Sequence, residues 1–258
     1  MMRVVGYDEA AQASKGVPGA AVTIGVFDGL HCGHRALVEG CVHRAKAGPS
    51  VVFTFRSNPK KLLKPDTFPG DLLSLDRKLE LLEAFGVDLV VLIDFSGDFS
   101  RMPGRIFLSA LHESVHPDFV AIGSDFHCGK GRDTDAAGLL AFFGERGVRV
   151  EIFAPVVAGG EVISSTRIRL ALQCGNIGAA SELLGREVEV ELGVHLGLRD
   201  GVHQFARPEG LVLPPPGLYP VTTGDPEGSG QGGIMVKGNR LELVGMGACE
   251  GLARVRIM

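Results

Sequence analysis

Short apolar runs alternate with longer segments of helical periodicity from the N-terminus to about residue 186. Five runs have the length and the Val, Ile and Leu content of strands, namely AVTIGVF, SVVFTF, VDLVVLIDF, DFVAIG and VRVEIF. Four segments between them are predicted to be helices, namely GHRALVEGCVHRAKA, SLDRKLELLEAFG, PGRIFLSALHESV and DAAGLLAFFGERG. In the second helix, Leu75, Leu79, Leu82 and Phe85 share one face. Strands that are apolar on both faces and alternate with helices predict an α/β fold with a parallel sheet.

After about Arg186 the pattern changes to short β-rich pieces separated by turns. Residues 189–258 contain 14 of the 37 glycines and 6 of the 14 prolines. The pieces VEVELGVHLG, GLYPVTT, GIMVKG and LARVRI are predicted to be strands. We therefore predict two domains, an α/β domain over residues 1–188 and a small β domain over residues 189–258.

Composition narrows the class of protein. The chain has 258 residues, 45% of them hydrophobic, and a formal charge of −4, which gives no general attraction to nucleic acid or to anionic membrane. No apolar run approaches the roughly 18–20 residues that span a bilayer, and the N-terminus lacks a secretory pattern, so a cytoplasmic location is expected. The five cysteines are scattered without a C-x-x-C, and no metal-ligand spacing of histidines occurs. A metal held by protein ligands alone is therefore not expected.

The string G-x-F-D-G-x-H-x-G-H begins at Gly25, where the first strand is predicted to turn into a helix. Backbone N–H groups at such a turn, together with the helix dipole, favour an anion. His31 and His34 can donate hydrogen bonds to phosphoryl oxygens there, where negative charge grows during phosphoryl or nucleotidyl transfer. Asp28 can help to hold a magnesium ion or orient a histidine. This complete string favours phosphate chemistry over a chance pair of histidines.

A second string, ISSTRIRLAL from Ile163, has the same kind of helix start. Ser164, Ser165 or Thr166 can cap the helix, and Arg167 and Arg169 supply forked donors for phosphate. A capped amphipathic helix with solvated arginines remains an alternative interpretation of this string.

Four strings together, GVFDGLHCGHRAL, FTFRSNP, IGSDFHCGKG and ISSTRIRLALQCGNIGAASELLGRE, resemble the N-terminal module of prokaryotic FAD synthetases over roughly residues 17–188. The resemblance implies a Rossmann-like sheet of the H-x-G-H nucleotidyltransferase type. It also implies transfer of AMP from ATP to FMN, which yields FAD and pyrophosphate, with Mg²⁺ arriving on ATP. No nucleic-acid or membrane partner is implied.

The resemblance also implies roles for individual residues. His31, His34 and Arg169 correspond to the catalytic positions. The positions that bind ATP in the family correspond to Gly25, Phe27, Asp28, Gly29, Ser165 and Thr166. The positions on the flavin side correspond to Asn58, Pro59, Asp125, Phe126 and Cys128.

Two flavin-side strings depart from the family pattern. The usual F-x-P-H-P reads FRSNP, so that Ser57 and Asn58 replace proline and histidine. The usual G-x-D-F-x-F-G reads GSDFHCG, so that Cys128 replaces an aromatic residue. These departures concern the affinity for FMN more than the chemistry on ATP.

The C-terminal part resembles a shortened riboflavin kinase. LVLPPPGLYPV is similar to the kinase string L-P-P-x-G-V-Y-A-V, but DGVHQFARPEG stands where the magnesium-binding G-F-P-T-A-N is expected. About 40 residues follow, which is short for the rest of a kinase domain. We predict that residues 189–258 lack kinase activity; a small unrelated β domain is the alternative.

Two other functions remain open at this point. One is an H-x-G-H adenylyltransferase with a different phosphate acceptor, and the other is a flavin- or nucleotide-binding protein without turnover. An NAD-dependent dehydrogenase is disfavoured because no G-x-G-x-x-G follows the first strand.

Overall fold

The computed structural model describes residues 1–14, 19–46, 48–223, 230–246, 249 and 251–258. They form two compact units. Unit 1 consists of Met1–Phe68 and Leu75–Val162, and unit 2 consists of Pro69–Ser74 and Ile163–Met258. The domain boundary after residue 188, between the predicted adenylyltransferase part and the predicted kinase-like part, stays a prediction. In the structure, the two helices just before that residue group with the sheet that follows them.

Unit 1 is an α/β unit. Its strands are β1 (Arg3–Gly6), β2 (Ala20–Ile24), β3 (Ser50–Phe55), β4 (Leu89–Ile93), β5 (Pro117–Gly123), β6 (His127–Cys128), β7 (Thr134–Asp135), β8 (Arg149–Phe153), β9 (Val157–Ala158) and β10 (Glu161–Val162). Its helices are α1 (Ala10–Ala13), α2 (Cys32–Arg44), α3 (Lys60–Leu63), α4 (Leu75–Ala84), α5 (Gly104–Val115) and α6 (Ala136–Gly144). Short 3-10 turns lie at Tyr7–Glu9, Phe99–Arg101 and Lys130–Arg132.

Six strands of unit 1 form one parallel sheet in the order β1-β4-β3-β2-β5-β8. This confirms the predicted Rossmann-like architecture and all five predicted strands. Every residue of β2 and β4 is buried, as expected for strands covered on both faces. Strand β1 was not predicted, because RVVG is short and lies half exposed at the sheet edge. The two-stranded hairpins β6–β7 and β9–β10 were not predicted either.

Helix α2 leads away from the candidate site and packs closely on the sheet. A side chain at Gly40 would place its Cβ 2.7 Å from a ring carbon of Phe153, so glycine permits the close approach of α2 to β8. Leu37, Val38 and Cys41 are the buried residues of this helix. These contacts hold α2 against the sheet.

Helix α4 is confirmed, but its buried side differs from the predicted apolar face. Its buried residues are Lys78, Leu81 and Leu82, whereas Leu75 and Leu79 are only partly buried. A lysine therefore occupies a position where the helix faces the protein interior.

Unit 2 begins with two helices and continues as a β sheet, which confirms the predicted β-type C-terminal part. Its elements are α7 (Ser165–Gln173), α8 (Ile177–Leu184), β11 (Val188–Glu191), β12 (His195–Arg199), β13 (Val202–Ala206), β14 (Gly217–Thr222), β15 (Gln231–Val236), β16 (Arg240–Val244) and β17 (Arg254–Ile257). The seven strands pair antiparallel in the order β11-β17-β14-β15-β16-β13-β12. Among the described residues, no helix is long and apolar enough to cross a membrane.

Candidate nucleotide-binding site

The turn after β2 has an unusual backbone conformation. Phe27, Gly29 and Leu30 all have positive φ, at 52°, 85° and 38°. Such angles are strained for residues with a side chain, and they cluster where a backbone is shaped around a ligand. The Phe27 ring is buried and folds back over Gly25, where a Cβ would lie 2.9 Å from it. The predicted ATP-binding residues Gly25, Phe27 and Gly29 thus build one compact turn.

The two histidines of this turn are stacked on each other. Their ring centroids are 3.6 Å apart with an interplanar angle of 16°. His31 is the N-cap of α2, and its Nδ1 accepts a hydrogen bond from the backbone N–H of His34 at 3.3 Å. Because Nδ1 accepts, the proton of the neutral His31 ring lies on Nε2. The predicted catalytic pair is therefore brought together, with His31 fixed in one tautomer.

His34 lies in an apolar environment. The edge of Phe27 contacts its ring with centroids 5.4 Å apart, and the Nδ1 atom is buried without a hydrogen-bond partner among the described residues. Burial lowers the pKa of His34 well below its ordinary value of 6.5, and electrostatic interactions with His31 and Lys78 lower it further. The ring is therefore neutral at pH 7.

This lowered pKa predicts how stability depends on pH. Below pH 6.5 the unfolded chain binds a proton at His34 that the folded chain does not bind, so acidification destabilises the fold. The contribution from one such group approaches about 1.4 kcal/mol per pH unit. We expect the free energy of unfolding to fall more between pH 7.5 and 5.5 in the wild type than in His34→Asn, by roughly 1 kcal/mol. Urea titrations at the two pH values measure this difference.

The matched control is His43→Asn, which removes an exposed histidine at the other end of α2. Its loss of stability between the two pH values is the baseline for removing a histidine from α2. Equal losses of stability in the wild type and in His34→Asn would contradict the prediction.

The loop after β3 is linked to this turn. Asn58 is buried, and its Nδ2 donates to Oδ2 of the buried Asp28 at 3.4 Å. Its Oδ1 accepts from the backbone N–H of Lys60 at 3.1 Å, next to Pro59, the N-cap of α3. Asn58 was assigned to the flavin side, and the structure places it against the carboxylate of the ATP-side turn.

The loop after β5 carries the other predicted flavin-side residues. Asp125 is exposed, whereas Phe126 and Cys128 are partly buried against the main core of unit 1. Burial raises the pKa of the Cys128 thiol to about 12, with a further contribution from Asp133, so this thiol stays protonated at neutral pH. Cys128 is thus a small packed side chain rather than a reactive one.

The sheet order places these loops together. Strands β2 and β5 are neighbours, and the chain continues from β2 toward β3 on one side and from β5 toward β8 on the other. The carboxyl ends of parallel strands share one edge, and ligands of open α/β sheets bind where the strand order reverses. The histidine turn and the Asp125 loop flank that point.

Lys78 is a site residue that the sequence analysis missed. Its Nζ donates to the carbonyl oxygens of Phe55, the last residue of β3, and of Val26, two residues beyond the end of β2, at 3.1 and 3.3 Å. A lysine in an amphipathic helix is normally solvated, so the sequence pattern does not predict that this lysine is buried beside the turn after β2.

The predicted phosphate-binding string of unit 2 begins helix α7. Ser164 is the N-cap, and its hydroxyl accepts from the backbone N–H of Arg167 at 3.3 Å. Ser165 and Thr166 form the first turn. Arg169 is buried, and its Nε donates to the carbonyl oxygen of Gly70 at 2.8 Å. One donor of Arg169 therefore supports the backbone of its own unit.

No cluster of three or more His, Cys, Asp or Glu that could hold a metal ion occurs among the described residues. The Mg²⁺ expected to arrive with ATP stays a prediction.

A Rossmann-like parallel sheet with a stacked H-x-G-H pair at its switch point defines the class of protein, which is a nucleotidyltransferase. Comparison with known proteins gives the family. The family model of FAD synthetase matches residues 14–167. The chain is 34% identical over 214 residues to the bifunctional riboflavin kinase/FMN adenylyltransferase of Escherichia coli K12. This match covers 79% of this chain and 67% of that protein. The chain belongs to the FAD synthetase family.

A second relative is the protein of the same description from Haemophilus influenzae, 32% identical over 181 residues, which cover 69% of this chain and 59% of the relative. Among solved structures, a crystal structure described as a macrolide-efflux protein from Streptococcus pneumoniae matches with a TM-score of 0.82. It is 24% identical and covers 100% of this chain and 98% of that chain, which shows a shared fold.

Proposed function

We propose that this chain is an FMN adenylyltransferase that transfers AMP from ATP to FMN. A phosphate oxygen of FMN attacks the α-phosphorus of ATP and forms a new P–O bond. The bond from that phosphorus to the oxygen bridging the β-phosphate breaks, and pyrophosphate leaves. No covalent bond to the protein is required, so catalysis consists of positioning and charge stabilisation.

The observation that carries this proposal is the stacked histidine pair in the strained turn after β2. His31 has its proton on Nε2, because its Nδ1 accepts from the backbone of His34. His34 is neutral and also carries one ring N–H. Two preorganised neutral donors beside the helix start suit the negative charge that grows on the phosphate oxygens in the transition state.

We assign the remaining predicted residues to contacts with the flavin and with the phosphates. Asp125 and Phe126 lie after β5, across the switch point from the histidine turn, which suits contact with FMN. Ser165, Thr166 and Arg169 of unit 2 are proposed to contact phosphate, as the resemblance of their string implies. Mg²⁺ would accompany ATP and be shared between phosphates and a carboxylate such as Asp28. We propose that the reaction takes place in the cytoplasm, where ATP is available.

We also propose that the chain does not phosphorylate riboflavin. The segment DGVHQFARPEG, which replaces the kinase string, forms β13 and a following turn. In that turn the carbonyl of Gly210 accepts from the backbone N–H of Asp71 at 2.8 Å. The threonine and asparagine that would bind magnesium and phosphate are absent from this segment.

The test is product analysis of the purified chain by HPLC with flavin fluorescence. One reaction contains ATP, Mg²⁺ and FMN, and the other contains riboflavin in place of FMN. FAD and an equal amount of pyrophosphate from FMN, with riboflavin unchanged, support both proposals. FMN formed from riboflavin would contradict the loss of kinase activity. No FAD from a chain that still binds ATP would contradict the proposed acceptor and favour another phosphate acceptor or a binding function.

A further inference from the structure

Lys78 is a buried cation close to the histidine turn. It is 7% exposed and lies on the interior side of α4 with Leu81 and Leu82. Burying an ammonium group costs free energy unless hydrogen bonds and nearby groups compensate for the lost water. An apolar side chain at this position would fill the same space without that cost. The lysine therefore calls for an explanation beyond packing.

Its hydrogen bonds join the turn after β2 to the end of the neighbouring strand β3. Nζ donates to the carbonyl of Val26, which directly precedes Phe27 and Asp28, and to the carbonyl of Phe55, the last residue of β3. The Val26 carbonyl also accepts from the hydroxyl of the buried Thr54 at 3.1 Å. One ammonium group thus fixes the strand ends from which both site loops leave the sheet.

A second link joins the same two loops. Asn58 Nδ2 donates to Asp28 Oδ2, so the loop after β3 contacts the carboxylate of the turn after β2. Lys78 binds the backbone carbonyls at the positions where these two loops begin. Together the two links limit how far the turn that carries His31 and His34 can move.

The charge of Lys78 also affects the electrostatics of the histidine turn. It is one of the causes that lower the pKa of His34, after burial and His31. A positive charge that is close enough to lower the pKa of His34 also attracts an anion held by the same turn, because the protein interior screens charges weakly. Such a fixed charge stabilises a transition state without reorganisation.

We propose that Lys78 is a positioning residue for adenylyl transfer, which holds the ends of β2 and β3 and places a fixed positive charge behind the phosphate-binding turn. This inference rests on the proposed function. It assigns no contact between Lys78 and substrate. The effect of Lys78 is exerted through the turn and through its charge.

The test compares Lys78→Met, which removes the charge at similar volume, with Lys78→Arg, which keeps charge and donors. Lys64→Met, which removes an exposed lysine of the loop after α3, is the matched control. We expect kcat for FAD formation to fall about tenfold in Lys78→Met, with KM for ATP changed less than threefold. Lys78→Arg should recover kcat to within threefold of the wild type, and Lys64→Met should match the wild type.

A purely structural role would give a different result. Wild-type kcat in a folded Lys78→Met, or equal losses of kcat in the Met and Arg variants, would overturn the inference. Circular dichroism and thermal melting establish that each variant is folded. If Lys78→Met does not fold, Lys78→Gln, which keeps an N–H donor without charge, takes its place with the same expected loss.

A second readout does not depend on FMN. In an NMR titration of the His34 ring, Lys78→Met should raise the pKa relative to the wild type, because the positive charge of Lys78 is removed, while Lys78→Arg should leave it low. An unchanged titration in Lys78→Met would overturn the electrostatic part of the inference. If the wild type forms no FAD, the proposed function fails, and this titration alone decides the role of Lys78.

Discussion

Replacing His31 with asparagine is expected to lower kcat for FAD formation by about 10²–10³, the loss typical of removing one preorganised transition-state donor. His31 contributes both a fixed Nε2–H donor and the N-cap of α2. Asparagine is among the best N-cap residues, so this variant keeps the cap and removes the imidazole. Steady-state kinetics with ATP and FMN measure the loss. KM for ATP should change less than kcat, because the interaction strengthens as charge grows.

His31→Ala separates the two roles of this residue. It should lose as much kcat as His31→Asn and also lose about 1 kcal/mol of stability, because the cap of α2 is gone. His43→Asn is the control for histidine removal on the same helix and should keep wild-type kinetics. If His31→Asn retained more than a tenth of the wild-type kcat, the histidine pair would not be the catalytic centre. If the wild type bound ATP and FMN without turnover, a binding function would be favoured instead.

The parts of the fold that the sequence predicted are those with strong local signals. Strands β2 and β4 are apolar on both faces because both faces are covered, and β3, β5 and β8 were found by the same kind of pattern. Strands β13 and β16 were missed, because each is interrupted by polar residues, for example Gln204 and Glu242. Glu242 is buried by pairing with Lys237 and Arg240 at 2.6 and 2.7 Å, and an alternation rule does not anticipate such a pairing.

The site shows the same division between local and tertiary information. The histidine pair was predictable because His31 and His34 are three residues apart, a spacing that brings two side chains to the same side of a helix turn. The contact of Asn58 with Asp28 depends on the alignment of β2 and β3. The hydrogen bonds of Lys78 also require α4, which is far from both strands in sequence, to pack beside their ends. Arg169 was recognised as a forked donor, but its bond to Gly70 requires a chain segment 99 residues away. Such partners come from topology rather than from spacing.

Replacing Gly129 with alanine is expected to lower the free energy of unfolding by about 2–4 kcal/mol, the sum of backbone strain and overpacking. Gly129 has a φ of 81°, and a Cβ there would lie 2.6 Å from the Cα of Gly104 and also collide with the Gly104 nitrogen and Asp133 Oδ1. The Gly104 atoms belong to the backbone at the start of α5 and cannot rotate away. Asp133 Oδ1 in turn accepts from Gly104 N and Thr134 Oγ1, both at 3.0 Å. The substitution therefore separates the loop after β5 from α5.

The neighbouring Gly131 provides a matched control for this substitution. It also has positive φ, at 65°, but a Cβ there would meet no atom within 4 Å. Gly131→Ala should cost only the left-handed strain of about 1 kcal/mol. Gly129, at φ 81° and ψ 173°, lies in a region that is essentially restricted to glycine, so the difference between the two variants in urea titrations measures the collision together with this larger backbone strain. Equal losses of stability in the two variants would contradict the predicted collision.

The kinetic effect of Gly129→Ala should fall on one substrate. Asp125 and Phe126 belong to the displaced loop, whereas the ATP-side turn follows β2, so KM for FMN should rise at least tenfold while KM for ATP changes less than threefold. The loop after β5 is covalently distant from the histidine turn, and its anchors lie on α5. A parallel rise of both KM values would mean that the two sides of the switch point do not bind separate substrates, and the assignment of FMN to the Asp125 loop would fail.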